Sequence, residues 1–394
     1  MKLAFINTFD TKDVKNWAGI PYYLCQQLES KIGKDKIACI QLPSFRRTFR
    51  SYLTGFYYNK LLGKKYYTWA DKRIVKAATD CFRQQEIEQF DIIITFEFFL
   101  VSILKTQHNQ VIYWNDATFE NLLGFYSGYS NLCGYCIRDG HALQKQAFLK
   151  ADSIIYSSDW AIASARKFYG VDEKKLKKIL FASNFKFVPA ESDIRTIIKR
   201  REENTVKLLF LAVDWERKGG DKAVEVVEKL NQLGVATQLF VVGMDIPVRF
   251  KNNGHLTPFG FVNKRSAEGE NKLMELIKDS HFLILPTVAD CTPVVFSEAN
   301  SFALPVLTTN VGGIPSVIKK NENGYYFNDS EFVMEATDFI IRNLPSSENY
   351  RKLCYKSYFY YNREMSWHQV DKKLNLVFQE LSMNRTEGNA VSLH

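Results

Sequence analysis

Val206-Lys207-Leu208-Leu209-Phe210-Leu211-Ala212-Val213-Asp214-Trp215-Glu216-Arg217-Lys218-Gly219-Gly220-Asp221 is the stretch on which the fold turns. Its first half is a short apolar run suited to a buried strand. The polar, glycine-bearing turn after it opens a helical pattern that runs to Leu233. The same alternation spreads in both directions. Strands are expected over 236–243, 281–285 and 306–308 downstream, and over 3–7, 37–42, 91–95, 111–114 and 153–156 upstream. Strands separated by helical stretches predict parallel sheets, one per domain. The stretch 189–205 is charged and poor in large apolar residues, and reads as the boundary. The expected class is α/β, with two Rossmann-like halves and ligands beyond the carboxyl ends of the strands.

Composition narrows the function. The chain has 394 residues, 46% of them apolar and 24% charged, which suits two cored domains and excludes a disordered or fibrous chain. No apolar run approaches the ~20 residues of a membrane span. Residues 1–7 read as a first strand rather than as the core of a signal peptide. Seven unevenly scattered cysteines, an odd number, predict a reducing cytoplasm and no disulfide framework. A net charge of +9 leaves anionic partners open: phosphates, an acidic membrane surface or nucleic acid.

Two adjacent cations and two glycines at the 214–221 turn suit an anion, because a helix N-terminus offers free N–H groups and partial positive charge. A solvated basic turn is the plainer alternative, and the spacing is not that of a Walker loop. Further on, Asp290-Cys291-Thr292-Pro293-Val294-Val295-Phe296-Ser297-Glu298-Ala299 follows a buried strand. If Pro293 opens the helix, Asp290 sits in the loop before it and Glu298 about a turn and a half inside. Carboxylates in that arrangement suit the vicinal hydroxyls of a sugar. The competing roles are a capping Asp and a solvated helix Glu, although the apolar stretch after Glu298 points to burial.

The order Asp290, Glu298, Ala299, Leu304-Pro305-Val306, Gly312-Gly313 and Asn323-Gly324 resembles the donor-binding region of the retaining glycosyltransferases of family 4 (glycosyl transferases group 1), which have the GT-B fold. The turn at Arg217-Lys218-Gly219 is similar to that family's diphosphate clamp. The segment from Pro258 to Lys264, including Phe261 and Val262, resembles the loop that holds the nucleotide base. Tyr156-Ser157-Ser158-Asp159-Trp160, Tyr169-Gly170-Val171 and Ala182-Ser183-Asn184 resemble the end of the family's N-terminal domain. Two departures stand out: Asp290 where Glu is more usual, and Ser183 where Gly is.

The resemblance implies two domains facing across a deep interdomain cleft. Residues 1–190 would bind the acceptor and 191–365 the nucleotide sugar, with the helical region 366–394, from Trp367-His368-Gln369, crossing back to the first domain. It also implies transfer of a sugar from a UDP- or GDP-linked donor to a hydroxyl of a glycan or lipid-linked glycan, with retention of configuration and without a metal or other cofactor. Arg217, Lys218 and the amides of Thr292, Pro293's neighbour Val294 and Cys291 would surround the leaving diphosphate. Glu298 would hold the ribose, Asp290 the sugar, and Asn184, Phe261, Val262 and Pro293 would line the donor site. In such enzymes the leaving phosphate oxygen takes the acceptor's proton, so no protein nucleophile is required. A catalytically silent homologue acting as a binding subunit, and a GT-B phosphorylase or epimerase, are the alternatives.

The N-terminal half is less specific. Trp17-Ala18-Gly19-Ile20-Pro21 resembles the family's glycine-bearing loop beside the donor phosphates; a plain strand–helix connection would also use Gly19. Asp116, in Tyr113-Trp114-Asn115-Asp116-Ala117, is the candidate for positioning the acceptor hydroxyl or the developing positive charge, against a role capping the next helix. Residues 45–76 interleave Arg46, Arg47, Arg50, Lys60, Lys64 and Lys65 with Phe45, Phe49, Tyr52, Phe56, Tyr57, Tyr66 and Trp69. That composition suits the acidic inner face of a membrane or an anionic glycan, ahead of single-stranded nucleic acid, or an ordinary solvated face. Cys133 and Cys136 with His141 lack the further ligands of a zinc site. Cys291 has no His near in sequence to activate it, and His281 reads as structural.

Overall fold

Leu3, Ala4, Phe5 and Ile6 are wholly buried, as befits a strand covered on both faces. The computed structural model describes residues 1–43, 47–77, 87–106 and 108–391, with side chains described as far as 383. Phe45 and Arg46 of the basic segment lie outside the described residues. The first sheet contains β1 (Leu3–Asn7), β2 (Ile37–Gln41), β3 (Ile92–Thr95), β4 (Gln110–Asn115), β5 (Ser153–Tyr156) and β6 (Leu176–Lys178). Its order is β2-β1-β3-β4-β5-β6, and every pairing is parallel. The second contains β7 (Val206–Leu211), β8 (Thr237–Val242), β9 (Leu256–Gly260), β10 (Phe282–Leu285), β11 (Val306–Thr309) and β12 (Gly324–Phe327). Its order is β12-β11-β10-β7-β8-β9, again all parallel.

Each sheet reverses its winding once. In the first, the chain runs outward from β1 to β2 and resumes on the other side at β3. In the second it runs from β7 through β9 and resumes at β10. The crevices beside β1/β3 and β7/β10 are therefore the switch points at which open α/β sheets bind ligands.

Three strands escape the hydrophobic pattern, β6, β9 and β12, and each lies at an edge of its sheet. Edge strands need less apolar sequence. β6 is Leu-Lys-Lys, β9 carries Pro258 and Gly260, and β12 starts on Gly324.

The chain forms two compact units, Met1–Ile179 with Lys372–His394, and Leu180–Asp371. The stretch 189–205 is not a linker. It contains the helix Glu191–Arg200, whose Ile194, Ile197 and Ile198 join the core of the second unit. Only its outer face is charged, which is why its composition reads as a boundary. In the first unit, Gln110 Nε2 donates to the Leu381 carbonyl at 2.6 Å, and Lys177 pairs with Glu380 at 2.5 Å. Among the described residues no helix is long and apolar enough to cross a membrane.

Candidate active site

In the second unit, β7 and β10 are neighbours, and the two loops leaving their carboxyl ends are packed together. Gly219 has φ +75°, and a Cβ there would fall 2.0 Å from the Pro286 carbonyl oxygen. A Cβ on Gly220 would fall 2.2 Å from the Trp215 ring. Gly219 is thus fixed by contact between the loops and Gly220 by the Trp215 ring of its own turn, each a stricter demand than access for an anion. Val288 N donates to the Arg217 carbonyl at 2.9 Å, and Thr287 Oγ1 to the same oxygen at 3.0 Å.

This packing brings Arg217, Lys218 and Asp290 together. Lys218 Nζ lies 2.5 Å from Asp290 Oδ2, with both residues buried. Arg217 Nη1 is 3.5 Å from Asp290 Oδ1 and donates to the Ala289 carbonyl at 3.1 Å, while its Nε donates to Asp214 at 3.2 Å. The solvated-turn alternative fails for Lys218, and the capping alternative fails for Asp290. The helix Val294–Ser301 starts after Pro293, and its N-cap receives no side-chain hydrogen bond. Cys291, Thr292, Pro293 and Val294 are buried around this helix start.

Glu298 is the fifth residue of that helix and is buried. Its Oε1 accepts a hydrogen bond from Lys264 Nζ, and the same ammonium sits 4.0 Å from the centre of the Phe185 ring. Lys264 is the residue that pattern reading passed over. The only signal was its place at the end of the 258–264 loop, because the partner stands 34 positions away. Phe261 is 74% exposed and Val262 half-buried on the same loop. Asn184 is buried, and Ser183 lies 3.5 Å from Ser301 Oγ through its own hydroxyl. The Asn323-Gly324 pair has a structural cause: Asn323 Nδ2 donates to Asn300 Oδ1 at 2.8 Å, and a Cβ on Gly324 would meet the Val306 carbonyl at 2.1 Å.

In the first unit, Asp116 follows β4 and is half-buried. The next helix, Phe119–Leu122, is capped by Thr118, whose hydroxyl accepts from Asn121 N. Asp116 therefore does not cap it. Gly19 has φ +84° and follows Trp17 and Ala18, which also have positive φ, 52° and 51°. Left-handed backbone at two residues with side chains costs about 1–3 kcal/mol each and marks a constrained turn. Trp17 packs on Phe96 with ring centres 5.7 Å apart.

Glu97 was also missed. It stands just beyond β3, at the switch point of the first sheet, and accepts from Thr8 N at 2.5 Å and Thr8 Oγ1 at 2.6 Å. Burial pushes its carboxyl up from the ordinary value, and the two Thr8 hydrogen bonds pull it back.

The remaining candidates separate. Cys133 and Cys136 are buried in a small cluster with Tyr66 and Ala70. His141 turns instead to Tyr169, 2.9 Å from its hydroxyl, and to Glu120. No group of three or more His, Cys, Asp or Glu that could hold a metal occurs among the described residues. His281 is structural: its Nδ1 accepts from Lys207 N, and its Nε2–H donates to the Arg201 carbonyl, each at 2.8 Å.

Residues 193–357 match the family described as Glycosyl transferases group 1. The second unit is a group 1 glycosyltransferase domain. Over 119 residues the chain is 34% identical to the lipopolysaccharide glucosyltransferase WaaG of Escherichia coli (strain K12), a stretch covering 29% of this chain and 32% of WaaG. The chain thus aligns with about a third of the length of that relative. Sucrose-phosphate synthase from Thermosynechococcus elongatus superposes with a TM-score of 0.69 at 15% identity, over 98% of this chain and 100% of the other. HepE of Anabaena, solved in complex with UDP-glucose, gives 0.61 at 13% identity over 96% and 100%. These likenesses establish the fold, GT-B, with two Rossmann-like units each built on a parallel sheet.

Proposed function

We propose that the protein transfers a sugar from a nucleotide-diphosphate donor to an acceptor hydroxyl of a glycan or lipid-linked glycan, with retention of configuration. The observation that carries this reading is the buried Lys218–Asp290 pair, with Arg217 beside it, at the β7/β10 switch point of a group 1 glycosyltransferase domain. A pyrophosphate needs fixed positive charge and a sugar hydroxyl needs a fixed acceptor. Here both stand on adjoining loops.

In the proposed reaction the bond from the anomeric carbon to the diphosphate breaks as the bond to the acceptor oxygen forms, and the leaving phosphate oxygen takes the acceptor's proton. Arg217, Lys218 and the backbone N–H groups of Cys291, Thr292 and Val294 stabilise the charge on the diphosphate. Asp290 holds Lys218 in place and accepts from the sugar. Glu298 accepts from the ribose diol, with Asn184, Pro293 and the Phe261–Val262 loop around the nucleotide. Asp116 and the constrained Gly19 turn belong to the acceptor-binding unit. The chemistry needs no metal, and the reaction fits cell-surface polysaccharide or glycoconjugate synthesis on the cytoplasmic side. HepE's complex with UDP-glucose supports a UDP-linked donor; a GDP-linked one is the alternative.

The test is a panel of nucleotide sugars, read by binding and by slow donor hydrolysis, on the wild type and on Lys218→Ala and Glu298→Ala. One donor class should bind and turn over, and each variant should lose at least ~100-fold in turnover while keeping its fold. Binding without turnover would indicate a silent homologue, and unaltered turnover in both variants would overturn the site.

A further inference from the structure

Surface helices ordinarily turn their apolar stripe toward the core. The helix Phe49–Phe56, with its continuation Tyr57–Leu61, does the reverse. Phe49, Tyr52, Leu53, Phe56, Tyr57 and Leu61 recur at helical spacing and are each between 49% and 77% exposed. The face packed on the first unit is made by Ser51 and Gly55. A Cβ on Gly55 would lie 3.1 Å from the Tyr66 ring. Tyr66 is in turn held by Asp71, its hydroxyl 2.7 Å from Oδ2, and Asp71 also accepts from Tyr135 at 2.9 Å and from Arg73. Thr48 caps the helix start, and Lys65 N and Cys133 N exchange backbone hydrogen bonds with Asn131 and Lys65. The stripe is therefore displayed by a pinned helix, roughly 20 Å long at 1.5 Å per residue.

Charge identifies the occupant. No Asp or Glu stands between Lys36 and Asp71. Arg47 and Arg50 flank the start of the stripe and Lys60 its end, all exposed, and none has an acidic partner among the described residues. Lys64 donates to Asn131 and stays exposed. Aromatic and leucine side chains on one face, ringed by cations on long stems, match the boundary between acyl chains and anionic headgroups. Tyr66 is buried, and Tyr67 and Trp69 stack inward at 5.5 Å, so the surface is confined to 47–64 rather than the whole basic segment. We infer that this face seats the protein on an anionic phospholipid bilayer, with the helix lying in the plane of the headgroups. The inference does not depend on the sugar-transfer reading.

The full chain is tested by co-sedimentation with phosphatidylcholine vesicles containing roughly a third phosphatidylglycerol, and with phosphatidylcholine alone. The wild type should partition onto the anionic vesicles and come off in high salt. Phe49→Ser/Leu53→Ser/Phe56→Ser and, separately, Arg47→Glu/Arg50→Glu/Lys60→Glu should each weaken partitioning by about 100-fold, since single cations near such a surface each count several-fold. All the altered side chains are exposed, so thermal melting and donor hydrolysis should match the wild type. Failure of the wild type to bind anionic vesicles, or unchanged binding by both triple variants, would overturn the inference. So would a stable dimer, seen by light scattering, that the serine variant dissociates.

Discussion

Lys218 Nζ and Asp290 Oδ2 lie 2.5 Å apart on loops that leave adjacent strands of one sheet. Neither group has much water to fall back on, so each depends on the other. Charge pairs of this kind act as a unit. Lys218→Ala and Asp290→Ala should each cost donor turnover ~100-fold or more, and the double variant little beyond the worse single. A double-mutant cycle on donor hydrolysis checks this; strictly additive losses would mean that the two residues act separately.

Lys264 and Glu298 predict a different pattern. On the proposed reading the ribose diol shares or displaces the lysine that sits on Glu298. Lys264→Met should therefore change KM for the donor by about tenfold with kcat nearly kept, because the lysine touches no reacting atom. Lys264→Arg, still able to pair, should stay near wild type. A fall in kcat alone would count against the assignment.

His281 ties stability to pH. Burial lowers its pKa from 6.5 to about 4, favouring the neutral ring whose Nδ1 accepts from Lys207 N, while the Nε2–H bond to the Arg201 carbonyl opposes the shift. A group depressed on folding contributes fully above its unfolded value, and the contribution is lost as pH falls from 6.5 toward 4. The loss amounts to about 3 kcal/mol at most. Urea unfolding of the second unit, followed at several pH values, should show this decline, and His281→Gln should flatten it.

Arg201 is wholly buried and donates to four carbonyls: Lys278 at 3.0 Å, Ala303 at 2.6 Å, Ile277 at 3.1 Å and Phe302 at 2.9 Å. These belong to the ends of the helices Ala267–Asp279 and Val294–Ser301, where a cation also opposes the helix dipole. Arg201→Met should destabilise the second unit by about 3–5 kcal/mol, as four acceptors lose their donor. Equilibrium unfolding gives the value.

What the sequence disclosed follows from physical range. Nine strands and the Arg217–Lys218 and Asp290–Glu298 loops were legible, because each is a local pattern of apolar runs, glycines and charges. Arg201 looked like one more linker charge, since nothing within a few residues reveals four carbonyls contributed by other helices. Lys264 and Glu97 find their partners 34 and 89 positions away, distances over which a linear pattern carries no information. The basic and aromatic residues of 45–76 were visible as composition, but composition cannot say which way a helix is turned.

With the Gly219 backbone resting on the Pro286 carbonyl, the basic turn and the acidic loop are one mechanical piece. Their charges are fixed relative to each other before any substrate arrives, so binding spends nothing on assembling them. An incoming diphosphate meets a finished electrostatic template, and even a methyl group at position 219 would pry that template open.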